Sequence, residues 1–272
     1  MRITSIAVFG AACAVAALAG EGASTNQAFH VGLYGIAEHF TWKETLDGQQ
    51  LVKESGPLFG AGGALGLRVL EPIWVEGNGE VFLGDVDYDG SIQSSRGTLT
   101  PYKSNTQYAG MKLEGDVACK LQLAPAFYLK PYAGAGFRAW RRTLDTEFSD
   151  RYIGRHGYVE NWLTVYGIVG CGGGLVLGRN SELFGRIEAR LPLYNTMTAD
   201  LTNQGGPTDV ELKPGQRASL YAEAGLTVMR LSGTFFVETL EFSQSPLDSK
   251  YQVALQPASK ATLLGVKLGV AF

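Results

Sequence analysis

Beyond residue 20 the chain lacks any apolar run long enough to cross a bilayer as a helix, so a helical membrane anchor in the body of the protein is excluded. Histidine and cysteine are scarce, at three each, and fall in no metal-ligand spacing; no metal and no cofactor is expected. A basic excess is missing too. The 23 Lys and Arg are outnumbered by 26 Asp and Glu, a net charge of −3 that excludes nucleic acid as a partner. Cys13 lies in an N-terminal apolar stretch. Cys119 and Cys171, on strands with another strand between them, read as small apolar side chains, because a disulfide needs Cα atoms within about 7 Å. Charge of either sign is sparse, at 18%, and the mean hydropathy is +0.01. Such a chain looks soluble on average, unless its hydrophobicity is hidden by alternation, which an average does not register.

Glycine, by contrast, is plentiful, at 36 residues. The cluster Gly167, Gly170, Gly172, Gly173 and Gly174 is followed by Leu175-Val176-Leu177 and by no Lys-Ser/Thr pair, so it is no phosphate loop. Glycines there suit a coiled strand, or one overlain by a large neighbouring side chain. At the N-terminus, Arg2, the uncharged stretch Ile3 to Gly20 and Ala17-Leu18-Ala19 read as a secretory signal cleaved after Ala19. That division gives 1–19 as signal and 20–272 as one mature domain.

Period-2 alternation dominates the rest. Val75, Gly77, Gly79, Val81 and Leu83 oppose Trp74, Glu76, Asn78, Glu80 and Phe82. Met111, Leu113, Gly115 and Val117 oppose Lys112, Glu114 and Asp116; Leu183, Gly185, Ile187, Ala189 and Leu191 oppose Arg186, Glu188 and Arg190. The chain ends in Leu264, Val266, Leu268, Val270 and Phe272, apolar at every second position to the last residue. Ten strands are expected, over 28–43, 58–70, 73–88, 105–122, 126–142, 157–177, 182–195, 216–231, 234–244 and 259–272. Short turns alternate with five longer polar stretches, 44–57, 89–104, 143–156, 196–215 and 245–258. This is an all-β chain closed into a single antiparallel transmembrane barrel of ten strands, with eight or twelve as the alternative counts.

The signal, the segment Pro131-Tyr132-Ala133-Gly134-Ala135-Gly136-Phe137-Arg138 and the strand from Leu264 to Phe272 resemble those of small Gram-negative outer-membrane β-barrels of the OmpA-like or porin-like type. The resemblance implies an outer-membrane location, contact with outer-membrane lipids, and a C-terminal insertion signal at Leu264, Val266, Leu268, Val270 and Phe272 for the barrel-insertion machinery. It implies almost nothing about activity.

Parity places Glu76, Glu80, Lys112, Glu114, Arg138, Arg186, Glu188, Arg190 and Glu223 on the inner wall, with Asp116, Lys130, Glu238 and Lys267 beside them. Mixed signs in a narrow lumen read either as an ion-paired plug or as a charge-lined permeation path. Tyr108, Trp140, Arg142, Glu160, Trp162 and Tyr194 fall near the outer ends of their strands on the same parity. They are the candidate outer vestibule for an unknown extracellular ligand, a sugar or an anionic headgroup, or else an aromatic cap over the plug. Asp85, Asp87 and Asp89 alternate near an outer rim, where omptin proteases carry paired aspartates facing an Asp-x-His pair. His30, His39 and His156 supply no such pair, and no catalytic residue is assigned. The function expected is that of a structural or surface-interaction barrel with a plugged or narrow charged lumen and five outer loops. A small diffusion channel for ions or solutes is the alternative, with an outer-membrane enzyme third.

Overall fold

A computed structural model describes residues 28–93, 99–144, 157–202, 206–251 and 254–272. The signal assigned to 1–19, and His156, lie outside the described residues. The strands are β1 (Phe29–Leu46), β2 (Gln49–Leu70), β3 (Ile73–Gln93), β4 (Leu99–Cys119), β5 (Leu121–Ala124), β6 (Phe127–Leu144), β7 (Val159–Gly178), β8 (Ser181–Asp200), β9 (Val210–Leu212), β10 (Gly215–Gln216), β11 (Ser219–Val228), β12 (Leu231–Ser243) and β13 (Ala258–Ala271). No helix among the described residues is long and apolar enough to cross a membrane.

All pairings are antiparallel, each wall strand lies beside the wall strands that precede and follow it in the chain, and β13 pairs with both β12 and β1, so the sheet closes. Ten strands make the wall: β5 extends β4 along β6, while β9 and β10 are short additions on β8 and β12. The last strand carries Leu264, Leu268 and Phe272 outward as it closes the cylinder against Gly32–Thr45 of β1. Cys119 and Cys171 are unbonded, with β6 between their strands.

The first seven long strands hold 18 to 22 residues, about twice the 9–11 needed to cross a bilayer. The outer surface shows where the excess goes. Leu33, Leu65, Val81, Met111, Val169, Ile187, Phe235 and Leu268 are exposed in a continuous apolar belt around the turn-side half. Above it the outward positions become polar within one step: Leu83 pairs with Ala109, and the next outward pair is Asp85 with Gln107. Lys43, Lys53, Asp89 and Lys103 form one cross-strand row higher still. Asp85, Asp87 and Asp89 belong to this polar exterior and face away from the lumen.

One expected loop is a strand pair. The segment 44–57 continues β1 and β2 to a two-residue turn, Asp47-Gly48, whose φ angles of 51° and 79° give the left-handed pair of a type I′ hairpin turn. The expected loops 89–104 and 196–215 also give much of their length to strand, through Gln93, from Leu99, and to Asp200. Residues 244–251 and 254–257, between β12 and β13, belong to no strand.

Many glycines are opposed directly by a ring. Gly62, Gly66, Gly110, Gly136, Gly170, Gly174, Gly225 and Gly265 sit in register with Tyr34, His30, Phe82, Tyr166, Tyr132, Tyr128, Phe184 and Phe236. The facing ring occupies the space that a Cβ would need at each of them. All eight pairs are direct cross-strand neighbours, and in each the bare strand lets a large side chain lie along it.

Candidate functional site

The lumen is divided along its axis into a cavity at the turn end, a charged middle and a packed loop end.

In the middle, residues alternating inward on successive strands meet across the axis. Lys112 Nζ lies 2.8 Å from Glu80 and 3.8 Å from Glu114. Arg190 Nη2 lies 2.8 Å from Glu114 and 2.7 Å from Glu188, while its Nη1 pairs with Glu238. Arg138 reaches Glu238 at 2.7 Å, Arg186 reaches Glu223 at 2.9 Å, and Lys267 reaches Glu80 at 2.8 Å. Tyrosines supply further donors. The hydroxyl of Tyr166 donates to Glu114 at 2.7 Å, that of Tyr132 to Glu188 at 2.9 Å and that of Tyr34 to Glu80 at 3.0 Å; that of Tyr221 donates to Glu223. The carboxylates are thus shared between two or three donors each, the arrangement that makes buried charge tolerable. Glu76 stands apart from this mesh, nearer the turn end, where Lys130 Nζ meets it at 2.6 Å.

At the loop end, one guanidinium holds three carboxylates. Arg142 Nη1 lies 2.9 Å from Glu44 and 3.0 Å from Glu160, and Nη2 lies 2.6 Å from Glu54. Thr106 donates to Glu54 at 3.0 Å, and Tyr108 donates to the same group. The indoles of Trp42 and Trp162 donate to Glu44 and Glu160, each at 2.9 Å. Formal charge here is −2, and Glu54 is wholly buried. Burial drives the Glu44 carboxyl above its ordinary range, against the opposing pull of Arg142. Next to this cluster Trp140 stacks on Trp162, centroids 5.2 Å apart and planes 9° apart, with Phe242 5.2 Å from Trp162.

A lid completes the seal. Val210 and Leu212 of β9 are buried in the aromatic cluster, and Gln256 donates to Glu44 at 3.3 Å. Asp209 ties the two covering segments together, accepting from Lys250 Nζ and from the Tyr251 hydroxyl, both at 2.8 Å. Those hydrogen bonds, that of Lys250 first, hold the Asp209 carboxyl below its usual range.

Of the six residues expected to line an outer vestibule, Tyr108, Trp140, Arg142, Glu160 and Trp162 are brought together, but all five as buried interior residues. Tyr194 is corrected: it faces outward, 45% exposed. Tyr194 pairs with Val165 and Pro192 with Tyr166, so Leu193 is an extra, bulged residue that reverses parity next to a proline. Sequence reasoning missed Glu44, Glu54, Trp42 and Phe242. Glu44 and Glu54 sit on the hairpin read as a loop, and Asp47-Gly48 between alternating Trp42/Glu44 and Val52/Glu54 was the signal that could have found them. Replacing Trp140 by alanine is expected to cost about 3 kcal/mol or more of folding stability, the usual price of deleting a buried large aromatic. Urea unfolding in detergent, followed by gel mobility, checks it; an unchanged midpoint would mean that the stack is loose.

At the turn end the lumen opens into a cavity of about 480 Å³, bounded by Tyr34, Trp74, Glu76, Asp116, Tyr128, Lys130 and Arg186.

No protein-family model and no curated protein sequence matches the chain. Among solved structures it is similar to the outer-membrane protease OmpT from Escherichia coli, with a TM-score of 0.59 at 13% identity over 93% of this chain and 99% of that one. It is also similar to the translocator domain of the autotransporter NalP from Neisseria meningitidis, with a TM-score of 0.43 at 8% identity over 87% of each chain. The Ralstonia pickettii toluene transporter TbuX gives a TM-score of 0.39 at 10% identity over 90% of this chain and 88% of that one. With its closed antiparallel wall, apolar belt and polar interior, the chain has the fold of the outer-membrane β-barrel proteins.

Proposed function

We propose that the protein is an outer-membrane barrel of structural or surface-interaction type, sealed towards the exterior and presenting its tall outer wall to the surroundings. The turn end, where β1 starts and β13 finishes, is the periplasmic side in this reading, and the belt marks the lipid zone. The observation that carries the proposal is the filled loop end: Arg142 with its three glutamates, the aromatic stack beside it, and the β9 and Gln256 cover above. Passage of ions would require this mesh to open, breaking several desolvated ion pairs at once.

The fold likeness to a protease adds no activity to this reading. The three aspartates at the rim point outward, and His39 lies on the outer surface, where its Nε2 is 3.1 Å from Ser55 Oγ. The second reading, a small diffusion channel, draws on the turn-end cavity, which takes solvent-sized space up to Arg186. Planar-bilayer conductance of the refolded chain decides between them. The expected result is a silent bilayer with protein shown folded by heat-dependent gel mobility. Reproducible open steps from folded protein would overturn the sealed reading in favour of the channel.

A further inference from the structure

Two of the cations around the turn-end cavity are each held by an acid, and a third sits on a ring. Lys130 is held by both oxygens of Glu76 at 2.9 and 2.6 Å, Arg186 by Glu223 at 2.9 Å, and Lys120 lies over the Tyr128 ring with Nζ 4.1 Å from its centroid. Asp116 is left over. It is nine-tenths buried, forms no ion pair among the described residues, and has one carboxylate oxygen with no hydrogen-bond donor. The side-chain oxygen of Asn78 is likewise buried and without a donor. The β3–β4 register pairs Glu76 with Asp116 and Asn78 with Glu114, which makes Asn78 and Asp116 diagonal neighbours on the lumen face. Both line the cavity.

Two adjacent acceptors without donors, one of them a carboxylate, describe the negative of a ligand that brings donors and a positive charge. Water could satisfy either oxygen singly, but it would leave the carboxylate charge unmatched in a partly desolvated site. The rest of the cavity suits an organic body more than a bare ion. At about 480 Å³ it lies within the range of small-molecule sites, and Tyr34, Trp74 and Tyr128 line its wall with ring carbon, against which an organic body can pack. Two strands from Asp116, on β7, Gly172 adds no side chain to the cavity wall.

We infer that the turn-end cavity is a binding site for a small organic cation bearing a protonated primary amine, seated on Asp116 and Asn78 with its carbon body against the aromatic wall. The site does not rest on the loop end being sealed, since it is reached from the other side.

The test is isothermal titration of the refolded full chain in detergent with butylammonium as probe, butanol as its neutral isostere, and sodium as the inorganic competitor. Saturable binding of butylammonium, none of butanol, and a loss of about tenfold or more in Asp116→Asn are the expected results, since the variant removes a charge-assisted bond while keeping the shape. Gly172→Val serves as the second variant. A Cβ there meets only ordinary contacts, from Gly185, Arg186 and Lys130 at 3.4 to 3.8 Å, so the side chain narrows the cavity from a strand other than that of Asp116; it too should weaken binding while keeping wild-type gel mobility. Equal binding by wild type and Asp116→Asn, equal binding of butanol, no saturable heat, or full competition by equimolar sodium would each overturn the inference. Because this reads binding and the bilayer experiment reads conductance, either proposal can fail without the other.

Discussion

Arg142→Met is expected to be the most damaging single substitution at the loop end, lowering stability by about 3–5 kcal/mol at neutral pH, because it strands three buried carboxylates. The indole and hydroxyl donors of Trp42, Trp162, Thr106 and Tyr108 would remain, but no cation would. Urea unfolding of the refolded protein in detergent measures the effect, and a wild-type midpoint would refute the account. Two features separate charge from packing. Adding Glu54→Gln and Glu160→Gln to Arg142→Met should restore most of the lost stability, since two of the three uncompensated charges go with the arginine. Acid should do so too. The native Glu44 carboxyl is raised above its ordinary value of about 4.5, so its contribution is fully present below that value and is lost as pH rises through the higher native one. The variant should therefore be weakest at neutral and alkaline pH and recover as pH falls towards 5. A deficit that stays constant across that range would point to lost packing instead.

Leu268→Lys should come next in size. Leu268 is 69% exposed, in the middle of the apolar belt, where its neighbours on β1 and β12 are Gly35 and Gly233. A cation facing lipid near the bilayer midplane costs about 2–4 kcal/mol. The closing strand would carry that penalty directly, so the folded fraction in lipid vesicles should fall. Asp87→Lys is the matched control. It adds the same side chain on the outward face above the belt, where Asp87 is exposed beside Asn105, and it should leave folding unchanged. Equal loss in both would mean that the lipid boundary lies higher on the wall than the belt indicates.

The wall itself was largely legible in the sequence. Strict alternation around Val75–Leu83, Met111–Val117 and Leu183–Leu191, and the strand ending at Phe272, gave class, strand number and inward faces, since side-chain direction in a strand follows parity alone. Parity failed where the backbone departs from it, as at Leu193, whose bulge turned Tyr194 outward. Height was misjudged for another reason. Polar residues such as Lys53, Asp89 and Lys103 resemble loop when only a bilayer-deep strand is sought, yet here they cover the outside of a wall that continues above the lipid. Which charges pair was hidden as well. The link between Arg142 and Glu44 spans 98 positions in the chain and depends on the curvature of the closed sheet.

The rings facing bare glycines also bear on assembly. Sliding any of these strands by two residues would preserve inside and outside, and so would go unnoticed by lipid and lumen alike. It would, however, bring His30 against Ala64 or Arg68, Phe236 against Leu263 or Lys267, and, between β6 and β7, Tyr132 against Ile168 in one direction or Tyr128 against Val176 in the other. Each such pair thus works as a tooth in a notch, keeping neighbouring staves from slipping along one another while the cylinder is put together.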